Sequence, residues 1–446
     1  MRETRVAQAS IFEKYSQHES GKQLKLLSMI LDRYPKILEL IENDLIDSSC
    51  KKVGCNGLSV ETVFRCLLLK QQLRCSYEQL AFHLSDSSSY RAFTRLPDSV
   101  CPSRSGLQSV IRKIKPETLE EIHQLLAVNF LNDHTISLDK IRIDSTVVKS
   151  NITPPSDSQL LNDSVRVLSR LLAKSQYSTG LKIRFTDKRK ASKSLAFQIF
   201  NAKNAKKELL YPDLLKIGRV VVRQVERILL KVKNESEVSE KNYKWQLNVE
   251  HYRNLLLRVI DQTERRVINK EKVPSSEKIV SIFEDHTDII VKGYREILYG
   301  HKINLASDER GFITYLAIEK GNPGDVERFM PIIKNHKELF KKLPHSVACD
   351  GGYASQANVA QGRALGIKRV VFHKRVGISY QAMGVKEKTF KILRNFRAGI
   401  EGNISELKRA FGAGRAEWKG EDGFKSFVWS AVITYNLVRL ARLESG

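Results

Sequence analysis

Strand-forming segments occur in two widely separated parts of this chain, and their separation constrains the fold more than any other feature. The first is TISLDKIRIDSTVV (Thr135–Val148), where the hydrophobic spacing becomes that of a strand. The others follow His286 and include SVACDGGY (Ser346–Tyr353) and IKRVVFH (Ile367–His373). Between the two parts, from about 160 to 285, the apolar spacing is helical and the segment is basic. We therefore predict an α/β sheet whose first strand is followed by a large helical insertion.

Residues 1–134 show helical spacing and are predicted to form a separate N-terminal domain, with the sheet-containing domain at 135–446. Ser59–Leu73 is one predicted helix, and Ser76–Leu96 contains two short helices around a Ser-rich turn. Pro116 stands where a helix would begin. After the first strand, Asp157 is predicted to cap the next helix.

The net charge limits the partners that this chain would bind. Lys and Arg number 75 against 50 Asp and Glu, a formal charge of +25. Such an excess is best tolerated when the partner is a polyanion, and nucleic acid is the first candidate. An anionic membrane is the alternative, but no run of eighteen apolar residues occurs and the N-terminus lacks an apolar signal segment. We expect a cytoplasmic protein that does not enter a membrane.

The six cysteines are scattered and contain no CxxC pair. A zinc site formed by Cys50, Cys55 and His83 is an alternative, but the spacing does not follow the common zinc-finger patterns. Buried or incidental thiols are the preferred interpretation, and disulfides are not expected in a reducing compartment.

Three acidic residues occupy positions that suit metal-dependent chemistry. Asp144 lies in the first strand, Asp350 ends a later strand, and Glu401 lies on a late helix. Two metal ions about 3.5–4 Å apart need carboxylates that converge from different elements. Mg²⁺ prefers a few carboxylates together with water and substrate phosphate. Asp139 and Asp157 compete with Asp144, although turn and capping roles explain them.

The Glu401 helix predicts a phosphate-binding face. Arg397, Glu401 and Lys408 lie four and seven residues apart and so share one side of the helix. Glu406 competes with Glu401 but points about 140° away. Gly351 and Gly352, directly after Asp350, would let a ligand approach the backbone.

Two basic segments are candidate DNA contacts. Ser76–Leu96 is predicted either to be a helix-turn-helix that turns Arg91 and Arg95 towards DNA or to be an ordinary helical hairpin. Residues 182–207, including Lys188, Arg189 and Lys190, would follow a phosphate backbone or form a solvated loop. Trp245 is predicted to be a core residue, with base stacking as the alternative, and Trp429 is predicted to lie in the core.

The chain resembles the DDE transposases of bacterial insertion sequences. The resemblance covers DSTVVKSNITPPSDSQLLNDSVRVLSRLL (Asp144–Leu172), GHKINLASDERGFITYL, GNPGD, the strand ending in Asp350, and R-(3)-E-(6)-K at Arg397, Glu401 and Lys408. The segment from Leu58 to Leu96 is similar to the helical domain of these enzymes. Arg394 stands where the family signature often has Tyr.

The resemblance implies a ribonuclease-H-like mixed sheet flanked by helices, with Asp144, Asp350 and Glu401 as catalytic metal ligands. It further implies double-stranded DNA as the partner and two Mg²⁺ ions, with Mn²⁺ as a substitute. Cleavage at terminal inverted repeats and strand transfer into a target would follow, within a homodimer associated with the bacterial nucleoid. A DNA-binding repressor or domesticated derivative without catalysis, or a two-metal nuclease without strand transfer, are the alternatives.

Overall fold

A computed structural model of the chain describes residue 4 and residues 15–46, 57–97, 99–235, 239–292, 296–373 and 378–445. The chain divides into two compact units. The first combines Met1–Ser150 with His301–Gly446, and the second is Asn151–Gly300. The second unit encloses the predicted insertion. Because the first unit holds both the N-terminal helices and most of the sheet, a domain boundary at 134 stays a prediction.

Among the described residues, seven helices precede the first strand, and serine side chains begin several of them. The hydroxyls of Ser59, Ser76, Ser87 and Ser103 each accept a hydrogen bond from a backbone N–H in the first turn that follows. Pro116 occupies the first turn of its helix, as predicted. The helices are α1 (Glu19–Asp32), α2 (Lys36–Leu45), α3 (Val60–Leu73), α4 (Tyr77–Asp86), α5 (Ser88–Thr94), α6 (Arg104–Ile111) and α7 (Pro116–Asn132).

A six-stranded mixed sheet carries the candidate site. The strands are β1 (Lys140–Lys149), β2 (Asp288–Lys292), β3 (Glu296–Ser307), β4 (Ile313–Ile318), β5 (Ser346–Asp350) and β6 (Arg369–His373). Their order is β2-β3-β1-β5-β6, and β4 also pairs with β3. The strands β1, β5 and β6 run parallel, whereas β2 and β4 are antiparallel to β3. The predicted mixed α/β fold is therefore confirmed, and it agrees with a ribonuclease-H-like core.

The second unit is built mainly from helices. They are α8 (Asp157–Ala173), α9 (Ser175–Thr179), α10 (Arg189–Asn201), α11 (Asn204–Glu235) and α12 (Glu240–Thr263), followed by a π-helical turn at Glu264–Ile268 and a 3-10 turn at Ser275–Glu277. Trp245 is buried and its indole N–H donates to the carbonyl of Leu171 at 2.8 Å, which confirms the core role. The predicted cap at Asp157 is wrong. Ser156 caps α8, and the buried Asp157 carboxylate accepts instead from Arg266 and Gln262.

In the part of residues 301–446 that the structure describes, four helices complete the first unit: α13 (Asp325–Phe340), α14 (Gln356–Ala364), α15 (Glu387–Ala410) and α16 (Glu421–Ser445). Between β5 and α14, Gly351–Tyr353 forms a 3-10 turn. α16 is buried along most of its length and includes Trp429 in the core, as predicted. In the described part of the chain no helix is both long and apolar enough to cross a membrane.

The thiols of Cys66, Cys75 and Cys349 are buried and unbridged, and Cys101 is exposed. This burial agrees with the preferred interpretation of the cysteines. The two cysteines of the alternative zinc site, Cys50 and Cys55, lie outside the described residues.

Candidate active site

The two aspartates are brought together by the pairing of two parallel strands. β1 and β5 are in register from Lys140 opposite Ser346 to Ile143 opposite Cys349. Asp144 and Asp350 are the next residues on their strands, and neighbouring strands lie about 4.8 Å apart. The two carboxylates therefore meet at the same edge of the sheet, although 205 positions (350 − 144 − 1) separate them in the chain.

α15 is fixed over this edge by side chains from the sheet. Arg142 of β1 donates from Nη1 to the carbonyl of Phe396 at 3.1 Å and from Nε to the Ser307 hydroxyl at 3.0 Å. Asn403 donates to the same hydroxyl at 3.0 Å. A Cβ at Gly399 would lie 1.9 Å from Arg142 Nη1, so a larger residue there would require the Arg142 side chain to shift. These contacts hold the turn of α15 that carries Arg397 and Glu401.

Arg397 links all three predicted carboxylates. Its Nη1 lies 3.0 Å from Asp350 Oδ1 and 3.5 Å from Asp144 Oδ2, and its Nη2 lies 2.6 Å from Glu401 Oε1. The structure thus gathers Asp144, Asp350 and Glu401 around one cation. The sequence placed Arg397 beside Glu401, but nothing in the spacing indicated that its guanidinium would lie between the carboxylates.

The three carboxylates differ in their access to solvent. The side chain of Asp144 is 17% exposed, that of Asp350 45% and that of Glu401 64%. The backbone N–H of Ser145 donates to Asp144 Oδ1 at 2.7 Å and orients that carboxylate further. Next to them, burial raises the pKa of the Cys349 thiol well above its usual value, and the nearby Asp144 and Asp350 add to the effect. One largely buried carboxylate and two solvent-exposed carboxylates therefore line the candidate site.

The donor set fits a hard divalent cation, because carboxylate oxygens are the ligands that Mg²⁺ prefers. The three carboxylates already converge on a positive group, the Arg397 guanidinium. As the side chains stand, no group of three or more His, Cys, Asp or Glu residues within the described ranges is arranged to hold a metal ion. A cation held by all three carboxylates would compete with the Arg397 guanidinium for the same oxygens.

The competing acidic residues have other partners. Glu406 accepts from Arg439 at 3.4 Å and from Arg442 at 2.5 Å, both on α16. Asp157 pairs with Arg266 at 3.0 Å. The backbone carbonyl of Asp139 accepts from Ser346 N at 2.8 Å. The carboxylates of Glu406 and Asp157 are thus engaged by arginines outside the candidate site, whereas the Asp139 contact involves only its backbone.

Gly352 lies close to a carboxylate of the chain itself. A Cβ on Gly352 would lie 2.7 Å from Asp325 Oδ2, and Asp325 is held 2.5 Å from Lys302 by an ion pair. A larger residue at this position would therefore require the Asp325 carboxylate to shift. The close approach of a ligand to Gly351 and Gly352 stays a prediction.

Two predicted DNA-contacting arginines have internal partners. Arg91 donates to the carbonyls of Leu84 at 3.0 Å and Val100 at 3.1 Å. Arg95 pairs with Glu61 at 2.6 Å and Asp32 at 2.7 Å. Both guanidinium groups bond within the N-terminal helical region. These internal partners argue against a role in DNA binding, which stays a prediction.

The remaining predicted cations lie in separate places. Lys408 is half-buried, two turns beyond Glu401 on α15. Lys188, Arg189 and Lys190 belong to the second unit, at the start of α10. Arg189 pairs with Asp187 at 2.6 Å, whereas Lys190 is exposed. Their contact with DNA stays a prediction.

Residues 285–437 match the family model described as a transposase DDE domain. The matched range includes Asp350, Arg397, Glu401 and Lys408, whereas Asp144 precedes it. No curated protein and no solved structure matches the chain.

Proposed function

We propose that this chain, whose residues 285–437 match a transposase DDE domain as the sequence resemblance predicted, cleaves DNA at the ends of an insertion sequence and joins them to a target. The observation that carries this proposal is the convergence of Asp144, Asp350 and Glu401 on the Arg397 guanidinium. These three carboxylates are far apart in the sequence but converge on one positively charged group. Phosphodiester chemistry on paired metal ions needs carboxylates that converge in this way.

The proposed cofactor is Mg²⁺, two ions per site, with Mn²⁺ as a substitute. When bound, such ions activate the attacking water or 3′-hydroxyl and stabilise the leaving oxygen. Asp144 and Asp350 would hold them from rigid strand ends, and the exposed Glu401 would complete the ligand set from the helix.

Arg397 would then have a second position. Its planar guanidinium suits paired hydrogen bonds to phosphate oxygens as well as to carboxylates. We infer that it moves from the carboxylates to a backbone phosphate when metal and DNA bind. The same charge would thus neutralise the site before binding and hold the substrate afterwards.

The partners proposed are double-stranded DNA and a second copy of the chain. The family implies DNA binding, and the formal charge of +25 suits a polyanion. The terminal inverted repeats, the target and a homodimer that bridges two ends are the finer parts of this proposal.

The test is cleavage of a linear duplex that carries an end of the element, with Mg²⁺, with Mn²⁺ and with a chelator. Asp144→Asn, Asp350→Asn and Glu401→Gln should each abolish cleavage and leave DNA binding within about twofold, because the shape of each side chain is kept. Glu406→Gln is the matched control on the same helix, and it should cut at the wild-type rate. Wild-type cleavage by any of the first three variants would remove that residue from the site.

Strand transfer needs a separate measurement. A pre-cut end with a free 3′-hydroxyl, incubated with a supercoiled target, should give joined products. Cleavage without joining would favour the two-metal nuclease. Binding of ends without either reaction would favour a repressor or domesticated derivative.

A further inference from the structure

A basic cavity lies beside the far end of α15, within the first unit. Its volume is about 240 Å³. The cavity is lined by α3 and the residue after it, by the end of α15, by the segment between α15 and α16, and by α16 itself. The lining residues are Lys70, Gln71, Arg74, Lys408, Gly412, Gly414, Arg415, Glu417 and Phe427. Four of these nine carry positive charge and one carries negative charge.

The walls of this cavity are fixed by hydrogen bonds. Arg74 donates to the carbonyl of Arg409 at 2.6 Å, and Gln71 donates to the carbonyl of Phe411. On the other side, Lys149 at the end of β1 bonds to Gly414 at 3.1 Å and to Ala416 at 2.8 Å. These bonds tie α3, β1 and the α15–α16 connection to one another. The cavity is therefore a built feature of the first unit and not a gap beside a loose loop.

Lys70 is the most unusual residue of the lining. Lys70 as a whole is only 4% exposed. Among the described residues, no carboxylate lies within ion-pair distance of its Nζ. The Nζ instead lies 4.9 Å from the ring centre of Tyr77 and 5.9 Å from that of Trp418. Burial lowers the pKa of Lys70, while Cys75 and Glu417 act in the opposite direction. A buried ammonium that faces a cavity without a bonded anion is costly unless a ligand supplies one.

The rings beside Lys70 carry further unsatisfied groups. The hydroxyl of Tyr77 and the indole N–H of Trp418 are buried and have no hydrogen-bond partner in the described part of the chain. Neither residue lines the cavity, whose own excess of donors comes from Lys70, Arg74, Lys408 and Arg415. The complementary ligand is an anion with several acceptor oxygens, and a phosphate group has this chemistry.

We propose that this cavity binds a backbone phosphate of the DNA whose cleavage is proposed above, several base steps from the reacting bond. The inference rests on the proposed function. Lys408 and Glu401 are seven residues apart on α15, about 10 Å along the helix axis, or roughly three base-pair steps at 3.4 Å each. Arg74 and Arg415 are exposed at the cavity, so its rim faces solvent. Lys70, Arg74 and Arg415 would thereby fix the register of the duplex relative to the carboxylates.

The first experiment measures DNA affinity without catalysis. A fluorescent duplex carrying an element end is titrated in chelator at several salt concentrations. Lys70→Met and Arg74→Gln should each weaken binding by about 3–10-fold and lower the slope of log affinity against log salt by about 1. Lys334→Met, an exposed lysine of α13, is the control for the loss of one charge and should change neither. Thermal melting of each variant checks the fold, and the exposed Arg74 provides the test if Lys70→Met melts early.

The second experiment locates the phosphate. Single neutral methylphosphonate linkages are scanned along both strands of the same duplex. At one linkage near the cleavage position, neutralisation should weaken wild-type binding and have no further effect on Lys70→Met. Affinities and salt slopes equal to wild type in both cavity variants would overturn the proposal.

A free phosphate is the alternative source of the same chemistry. Calorimetric titration of inorganic phosphate should show weak binding to wild type that Lys70→Met loses. Loss of that binding with unchanged DNA affinity, or no binding of either ligand by wild type, would also overturn the proposal. Failure of the proposed phosphate site can be distinguished from failure of the proposed function. If Asp144→Asn cuts normally while Lys70→Met loses affinity, only the active-site assignment fails.

Discussion

Replacing Arg397 by glutamine should increase the affinity of the candidate site for divalent metal. In the wild type, a metal ion must displace the guanidinium from Asp144, Asp350 and Glu401. The carboxylates are 17–64% exposed, so each pair is expected to contribute only about 0.5–1 kcal/mol. Three pairs give about 1.5–3 kcal/mol, which corresponds to an increase in metal affinity of roughly 10–100-fold. The remaining carboxylates would also repel one another, and this repulsion favours a bound cation further.

The assay is calorimetric titration of Mn²⁺ into the protein without DNA. Arg397→Lys keeps the charge and should bind Mn²⁺ at close to the wild-type affinity. Arg394→Gln, one turn earlier on α15 and exposed, matches the change in net charge and should have little effect. Equal Mn²⁺ affinities for wild type and Arg397→Gln would refute the idea that the guanidinium occupies the metal position. An equal gain in Arg394→Gln would assign the effect to overall charge instead.

The remaining predictions concern the stability of the first unit. Glu61→Gln removes one of the two carboxylates paired with the buried Arg65, whose side chain is 1% exposed, and leaves Asp32 at 2.9 Å. This variant should cost about 1–3 kcal/mol in denaturant unfolding, and an unchanged unfolding free energy would contradict this. Burial lowers the pKa of His123 to about 4, so the stability it contributes is complete above pH 6.5 and is lost as the pH falls towards 4. His123→Gln should make the unfolding free energy depend less on pH between these two values. An unchanged pH dependence would contradict a buried, neutral His123 ring in the folded state. Gly399→Ala should lower the melting temperature in spite of its better helix propensity, because the new methyl group would collide with Arg142; a rise in melting temperature would show that Arg142 moves freely.

Much of the secondary structure could be predicted because its signals are local. The strand ending in Asp350 and the helix after Ser59 have the predicted ends, since apolar runs and capping residues mark them. The short strand β2 was not predicted. It has five residues, and its position in the sheet depends on pairing with β3, which no local pattern reveals.

The candidate site was predictable in its members but not in its arrangement. Strand ends and helical spacing singled out Asp144, Asp350 and Glu401, because these signals lie within a few residues of each carboxylate. The position of Arg397 between them depends on which helix face meets which strand edge. Arg142 and Gly399 determine that meeting, and neither is conspicuous in the sequence. For the same reason the spacing of Arg91 and Arg95 indicated two surface cations, whereas tertiary contacts engage both.

The parallel register of β1 and β5 also limits how this chain can change in evolution. A single residue added inside either strand would turn every later side chain to the opposite face and would separate Asp144 from Asp350. Added length is tolerated only outside the paired segments, where closing a longer loop costs little. A unit of 150 residues between Ser150 and His301 is an extreme case of that freedom. Related chains should therefore differ greatly in length between these strands and hardly at all within them.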